Sequence, residues 1–314
     1  MIQPIKLDEF IKKDIEKPSW VAERLIPKKG TTFLAGYPES FKTWILIELA
    51  RCVASGGLLF GKIPCPKGKV LIINEEDNES YIKNRILQLR IRSSLEIYLL
   101  IGQGIKVDDP EKINFLSRWV KENNITLVCL DSFARIHTKE ENISNQIAMV
   151  FEGINQLKKA GASVLITHHL RKKVNGQQLT AHDLRGSSDI LAAVDCSITM
   201  QAEGDIITIN QNKLRTDQKL KPFAVEALFN RPANSLELIC HDEIGVSVPK
   251  QEIDMNKILA VLDKQEHRNR GEIVECLKGS LSSKKIDPLL KRMVQKNMIK
   301  ETPGKHNAKF YFKI

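Results

Sequence analysis

The chain has 314 residues and a formal net charge of +10, with an isoelectric point near 9.2. That length accommodates one sizeable α/β core and a small second domain, because single cores stop growing at roughly 250 to 300 residues. The basic excess suits a polyanionic partner, which releases counterions when Lys and Arg meet its phosphates, and composition alone weighs this evenly against a merely basic, solvated surface.

Cys52, Cys65, Cys129, Cys196, Cys240 and Cys276 lie far apart and form no CxxC pair. This argues against a disulfide framework or a zinc knuckle and for reduced thiols in a cytoplasmic protein. Residues 1–18 carry too many charges for a signal peptide or anchor, and no run approaches the roughly 20 apolar residues of a membrane helix.

In chain order, 31–35 reads as a strand, followed by Ile45, Leu46, Leu49 and Val53 at helical spacing and a stop at Gly56-Gly57. A strand at 69–74 precedes a charged helix at about 79–92. Asp109 and Pro110 mark an N-cap and first helical residue, ahead of Ile113, Leu116 and Val120. Strands at 125–130 and 163–167 flank a helix at about 145–160. Such alternation predicts an α/β fold with a largely parallel sheet and flanking helices. Beyond Val194 the segments 197–201, 206–211 and 235–239 alternate, which predicts antiparallel strands closing the sheet.

The expected domains are an N-terminal arm at 1–30, a core at 31–245, a linker at 246–251 and a small domain at 252–314. From Gln251 onward fourteen Lys and Arg against eight Asp and Glu leave +6, so the excess charge concentrates there. Short helices and a hairpin turning at Pro303-Gly304 resemble a winged helix. Its candidate recognition helix, 282–297, offers Lys284, Lys285, Lys291 and Arg292 to DNA, with Lys305 and His306 on the wing. Pro288 interrupts that helix, unless Asp287 caps a helix whose first residue is Pro288.

Gly36-Tyr37-Pro38-Glu39-Ser40-Phe41-Lys42-Thr43 follows a predicted strand and opens a predicted helix, the setting of a phosphate-binding loop for ATP. Loop N–H groups and the helix N-terminus would surround phosphates, Lys42 would reach the β/γ-phosphates, and the Thr43 hydroxyl would complete a Mg2+ shell. Phe41 stands where the pattern has Gly. Either the position has positive φ, at a cost to Phe of about 1–2 kcal/mol, or it is near-helical and needs only space.

The strand at 127–130 ends in Asp131, suited to holding Mg2+ through water. The strand at 70–73 ends in Asn74-Glu75-Glu76-Asp77. Glu76 is assigned to orient or deprotonate the attacking water, with Glu75 and Asp77 as helix-start charges.

In order and spacing, Lys42, Thr43, Glu76 and Asp131 resemble the RecA-like ATPases, in particular the family of the hexameric plasmid replicative helicase RepA, over about 20–223. The resemblance implies that His168, with His169 a close second, senses the γ-phosphate; zinc ligation by His168, His169 and His182 is the rival. It implies that Arg171, Lys172 and Lys173 open a pore loop for single-stranded DNA, with Arg135 and His137 in a second loop. It also implies that Lys213 and Arg215 reach a neighbouring subunit's site as a finger. The expected activity is that of a ring-forming, DNA-dependent ATPase, a replicative helicase of a plasmid, phage or mobile element. The alternatives are a non-unwinding ATP-dependent regulator or loader and a metabolic P-loop kinase.

Overall fold

In the computed structural model the β-branched runs around 31–36, 69–74, 125–131 and 163–169 sit side by side at the centre of one nine-stranded sheet. The structure describes residues 4–14, 19–170, 188–242, 254–255, 258–259, 261–262, 267–277, 281–296, 298–304 and 309–313. Two compact units divide the chain, Met1–Val246 and Ser247–Ile314.

The first unit runs α1 (Leu7–Lys12), β1 (Trp20–Ala22), β2 (Ile26–Pro27), β3 (Thr31–Gly36), α2 (Lys42–Ser55), β4 (Leu58–Leu59) and β5 (Ile63–Pro64). It continues with β6 (Lys69–Asn74), α3 (Glu79–Gln88), β7 (Ile97–Ile101), α4 (Pro110–Glu122), β8 (Ile125–Asp131), α5 (Ser144–Lys159), β9 (Ser163–His169) and α6 (Ser188–Ala193). Then come β10 (Cys196–Glu203), β11 (Ile206–Leu214), β12 (Phe223–Asn230) and β13 (Ser235–Cys240).

The large sheet has the order β13-β12-β11-β10-β3-β9-β8-β6-β7. Pairings from β10 through β7 are parallel, so the predicted α/β class with a largely parallel sheet is observed. Leu46, Leu49, Val53 and Ile82 bring α2 and α3 onto one face; Ile113, Leu116, Val120, Ile147, Phe151 and Ile154 bring α4 and α5 onto the other. With both faces covered, the central strands are apolar along their middles on both sides, with polar residues toward their ends. Asp109 caps α4 as expected, accepting from the N–H of Glu111 at 3.0 Å, with Pro110 in the first turn.

Three features differ from the expectation. The antiparallel strands do not close the sheet; β11, β12 and β13 extend its β10 side. Strands β7 and β12 occupy stretches where the sequence pattern predicts no element. Residues 19–30 are core rather than arm, since Val21, Ala22, Leu25 and Ile26 are buried on the α2 face.

In the second unit, β14 (Arg268–Asn269), β15 (Ile299–Pro303) and β16 (Lys309–Lys313) form a sheet of order β14-β16-β15. Helices α7 (Arg270–Cys276) and α8 (Ser283–Gln295) accompany it. Asn269 and Glu272 form a capping box at the start of α7. Ile273, Ile286, Leu290, Met293, Ile299 and Tyr311 make a separate core. Helix α8 begins at Ser283 and keeps Pro288 inside, so Asp287 does not cap it and instead pairs with Arg270 at 2.6 Å. Burial of Ile286, Leu289, Leu290 and Met293 along one face offsets the hydrogen bond that Pro288 removes. The expected linker, 246–251, lies outside the described residues, as do Lys305 and His306.

Candidate nucleotide site

Parallel strands in register bring their C-terminal ends to one edge, where ligands bind in open α/β sheets. Here that edge gathers Gly36, His169 and Met200 on neighbouring strands, and Asn74 beside Asp131. The loop from Gly36 to Thr43 crosses it. A Cβ at Gly36 would meet Ser40 Oγ at 2.3 Å, which is why a glycine stands there, and Ser40 Oγ donates to the Tyr37 carbonyl at 2.7 Å. Pro38 and Glu39 form the exposed tip.

Phe41 has φ 64° and ψ 14°, so its backbone is left-handed and the near-helical alternative is excluded. The cost of about 1–2 kcal/mol is offset by packing: Phe41 and Trp44 both lie against Phe229, with centroids 6.2 and 6.3 Å away, each such pair being worth about 0.5–1.5 kcal/mol. Helix α2 then starts with no side-chain cap, leaving its first-turn N–H groups as an anion site.

Lys42 is buried, and its Nζ donates to the carbonyls of Tyr37 at 2.6 Å and Gly36 at 3.2 Å. Burial pulls its pKa down, while the charges of Asp131 and Glu76 pull it up. Thr43 Oγ1 donates to Asp131 Oδ2 at 2.7 Å, and Asn74 Nδ2 donates to the same oxygen at 3.0 Å. Thr167 Oγ1 donates to the other, Oδ1. Asp131 is 2% exposed, and burial raises its pKa against the lowering effect of the two threonine hydroxyls. The peptide bond from Asp131 to Ser132 is cis.

Asn74 also shapes the turn that follows β6. Its Oδ1 accepts the N–H of Glu76 at 3.1 Å and of Asp77 at 2.7 Å. Glu76 Oε1 thereby lies 3.6 Å from His169 Nε2. Hydrogen bonding from His169 is the largest influence on this carboxyl and, against partial burial, brings its pKa to about 2. Glu75 and Asp77 are not idle helix-start charges. Glu75 accepts the N–H groups of Gly104 and Ile105, both at 2.9 Å, and Asp77 pairs with Arg85.

Several expected site residues fall elsewhere. His168 is 1% exposed and points to the opposite face, its ring 5.2 Å from Phe133 and 5.5 Å from Phe33. Alternation along β9 puts Thr167 and His169 on the site face and His168 away from it. His137 is likewise buried, 4.6 Å from Phe133, and does not form part of an exposed loop surface. Lys213 Nζ donates to the Leu191 carbonyl at 2.6 Å, and Arg215 donates to Ala192 at 2.6 Å and pairs with Asp195 at 3.2 Å. Both cations therefore sit on the C-terminal end of α6. They lie at the edge where Cys196 and Leu214 pair, one β3 length from the phosphate loop, about 16 Å along the strand.

Arg171, Lys172, Lys173 and His182 lie outside the described residues, as does the side chain of Lys284. Lys291 and Arg292 are exposed on α8, and Lys285 faces Asp254 at 3.4 Å. The sequence pattern does not single out Asn74 or Thr167. The available signal was that each is a polar residue at the end of an apolar strand neighbouring β8.

A buried lysine, an uncapped helix start, a threonine hydroxyl and two carboxylates fit a magnesium-bound triphosphate, and the glycine at position 36 keeps the loop close to it. Fold and loop together have the arrangement of a P-loop domain, a phosphate-binding loop between β3 and α2 at the C-terminal edge of a largely parallel sheet. A family model described as AAA domain matches residues 2–175, more than half of the chain, and the chain belongs to that family. Among solved structures the chain resembles a DnaB-like replicative helicase, determined in a study that also addressed its interactions with primase. The identity is 13% and the TM-score 0.53, over 67% of this chain and 57% of that one. It also resembles a second solved structure, described as an ATPase domain, at 13% identity and TM-score 0.53, over 68% of this chain and 84% of that one. The chain thus spans little more than half the length of the first. No helix among the described residues is long and apolar enough to cross a membrane.

Proposed function

We propose that this chain is a ring-forming, DNA-dependent ATPase of the replicative-helicase type, working in the cytoplasm on a plasmid, phage or other mobile element. The observation that carries the ATPase assignment is the contact between the Thr43 hydroxyl and Asp131, with Lys42 and Glu76 electrostatically coupled beside it. Lys42 would neutralise phosphate charge, and Thr43 and Asp131 would hold Mg2+. The ion, when bound, offsets the charge that develops during phosphoryl transfer. Glu76, held ionised by His169, would orient the attacking water and accept its proton. His169, rather than His168, then occupies the place of the phosphate sensor.

Arg215 and Lys213 lie at the far edge of their own sheet, so as a finger they serve only a neighbouring copy. This supports a homo-oligomeric ring, by resemblance a hexamer. Single-stranded DNA is assigned to the basic run beginning at Arg171, Lys172 and Lys173. The second unit, with its three-stranded sheet and basic α8, is assigned as a winged helix that docks on duplex DNA through Lys284, Lys285, Lys291 and Arg292.

Steady-state hydrolysis assays test the core of this proposal. Lys42→Ala should abolish DNA-stimulated ATP turnover, and unchanged turnover would refute it. The engagement of Arg215 with its own Asp195 favours a second possibility, a non-unwinding regulator or loader. Strand displacement on forked DNA separates the two, because ATPase activity without unwinding identifies the regulator.

A further inference from the structure

Phe41 stands in the phosphate loop in the left-handed region that favours glycine, and something must hold it there. Its ring partner is Phe229, which is 47% exposed at the end of β12 and remote in sequence. Phe229 also makes an edge contact with Trp44 in the first turn of α2. The Arg85 guanidinium lies 5.7 Å from the Trp44 ring centroid and pairs with Asp77, in the turn that carries Glu76. The hairpin between β12 and β13 is itself tied to α3, where Gln88 Nε2 donates to Asn234 Oδ1 at 2.9 Å. One aromatic group thus joins the phosphate loop, the first turn of α2 and the carboxylate turn.

We propose that Phe229 is a positioning residue for the phosphate loop: it keeps Phe41 left-handed, so that the N–H groups of the loop and of α2 stay aimed at the phosphates. The proposal rests on the ATPase assignment and adds to it a side chain outside the loop that touches no substrate. Phe229 substitutes for what glycine supplies by itself, a backbone at ease with positive φ. Simple surface packing would make its removal lower the Tm and leave kcat/KM of the folded chain unchanged.

The test is a double-mutant cycle in the full chain, read as kcat and KM for ATP, with thermal melts to establish folding. Phe229→Ala should lower kcat/KM about three- to tenfold, the size of a lost aromatic pair, mainly through KM. In a Phe41→Gly background the same change should have no further effect, because glycine needs no support. Equal losses in both backgrounds, or no loss with Phe41 present, overturn the proposal. Should Phe229→Ala fail to fold, Phe229→Leu carries the same comparison. If the native chain hydrolyses no ATP, the ATPase assignment falls, and the cycle is read instead on affinity for a fluorescent ATP analogue. Absence of binding there defeats the positioning role as well.

Discussion

The Arg215 guanidinium lies 3.2 Å from Asp195 Oδ1, while its second amino group donates to the Ala192 carbonyl at 2.6 Å. Asp195 is itself pinned, because its Oδ2 accepts the Thr31 N–H at 2.9 Å and faces Lys158 Nζ at 3.3 Å. Thr31 begins the strand whose far end enters the phosphate loop. The resting place of Arg215 is therefore fixed to the same strand as the phosphate site but at its opposite end.

That geometry separates a role between subunits from a structural one. Arg215→Ala should reduce ATP turnover on the order of 10³-fold and leave nucleotide binding nearly intact. Mixing it with Lys42→Ala protein should restore part of the turnover, since each variant supplies what the other lacks. Loss of binding together with a lowered Tm would instead mean that Arg215 serves only to cap α6.

Asp131 offers a prediction of opposite sign for stability and activity. Burial raises its pKa, so the folded chain holds the proton more tightly than the unfolded one. Its ionisation therefore costs stability as pH rises from the ordinary carboxylate range through the folded value. Asp131→Asn removes that cost while retaining an acceptor for Thr43 or Thr167. Melts at neutral pH should show an equal or higher Tm, with Mg2+-dependent hydrolysis lost. A large drop in Tm would mean that the charge itself holds the strands together.

Glu76 has the reverse shift. With His169 beside it, the carboxyl titrates at about 2, so it stays ionised above that value and its contribution fades only as pH falls toward it. Any acidic limb of the ATPase profile between roughly pH 5 and 7 should therefore belong to another group. Glu76→Gln should lower kcat by about 10²- to 10⁴-fold with little change in nucleotide affinity. The residual activity should keep the same acidic limb. A limb that disappears with the substitution would assign it to Glu76.

What could be read in advance follows from how local each signal is. The phosphate loop and Asp131 were legible because each is a short string in a strand-to-helix or strand-end setting. The choice between His168 and His169 was not: Val164, Leu165 and Ile166 are all buried, so both faces of β9 are apolar and no alternation marks which side faces α2. The backbone of Phe41 depends on Phe229, and the engagement of Arg215 on Asp195 and α6; neither partner is adjacent in sequence. Strand β12 is hidden in the sequence because Ala224, Glu226, Ala227 and Leu228 favour helices, and pairing with β11 and β13 overrides that preference.

The basic face of α8 makes the DNA assignment measurable apart from ATP hydrolysis. Lys291 and Arg292 are exposed. If both exposed cations meet backbone phosphates, replacing them with Ala should weaken duplex binding alike for unrelated sequences. The slope of log K against log salt concentration should become shallower by about 2, roughly 0.9 per phosphate contact. Binding that keeps its full salt dependence in the double variant would show that α8 does not face DNA. The second unit would then be a surface for protein contacts.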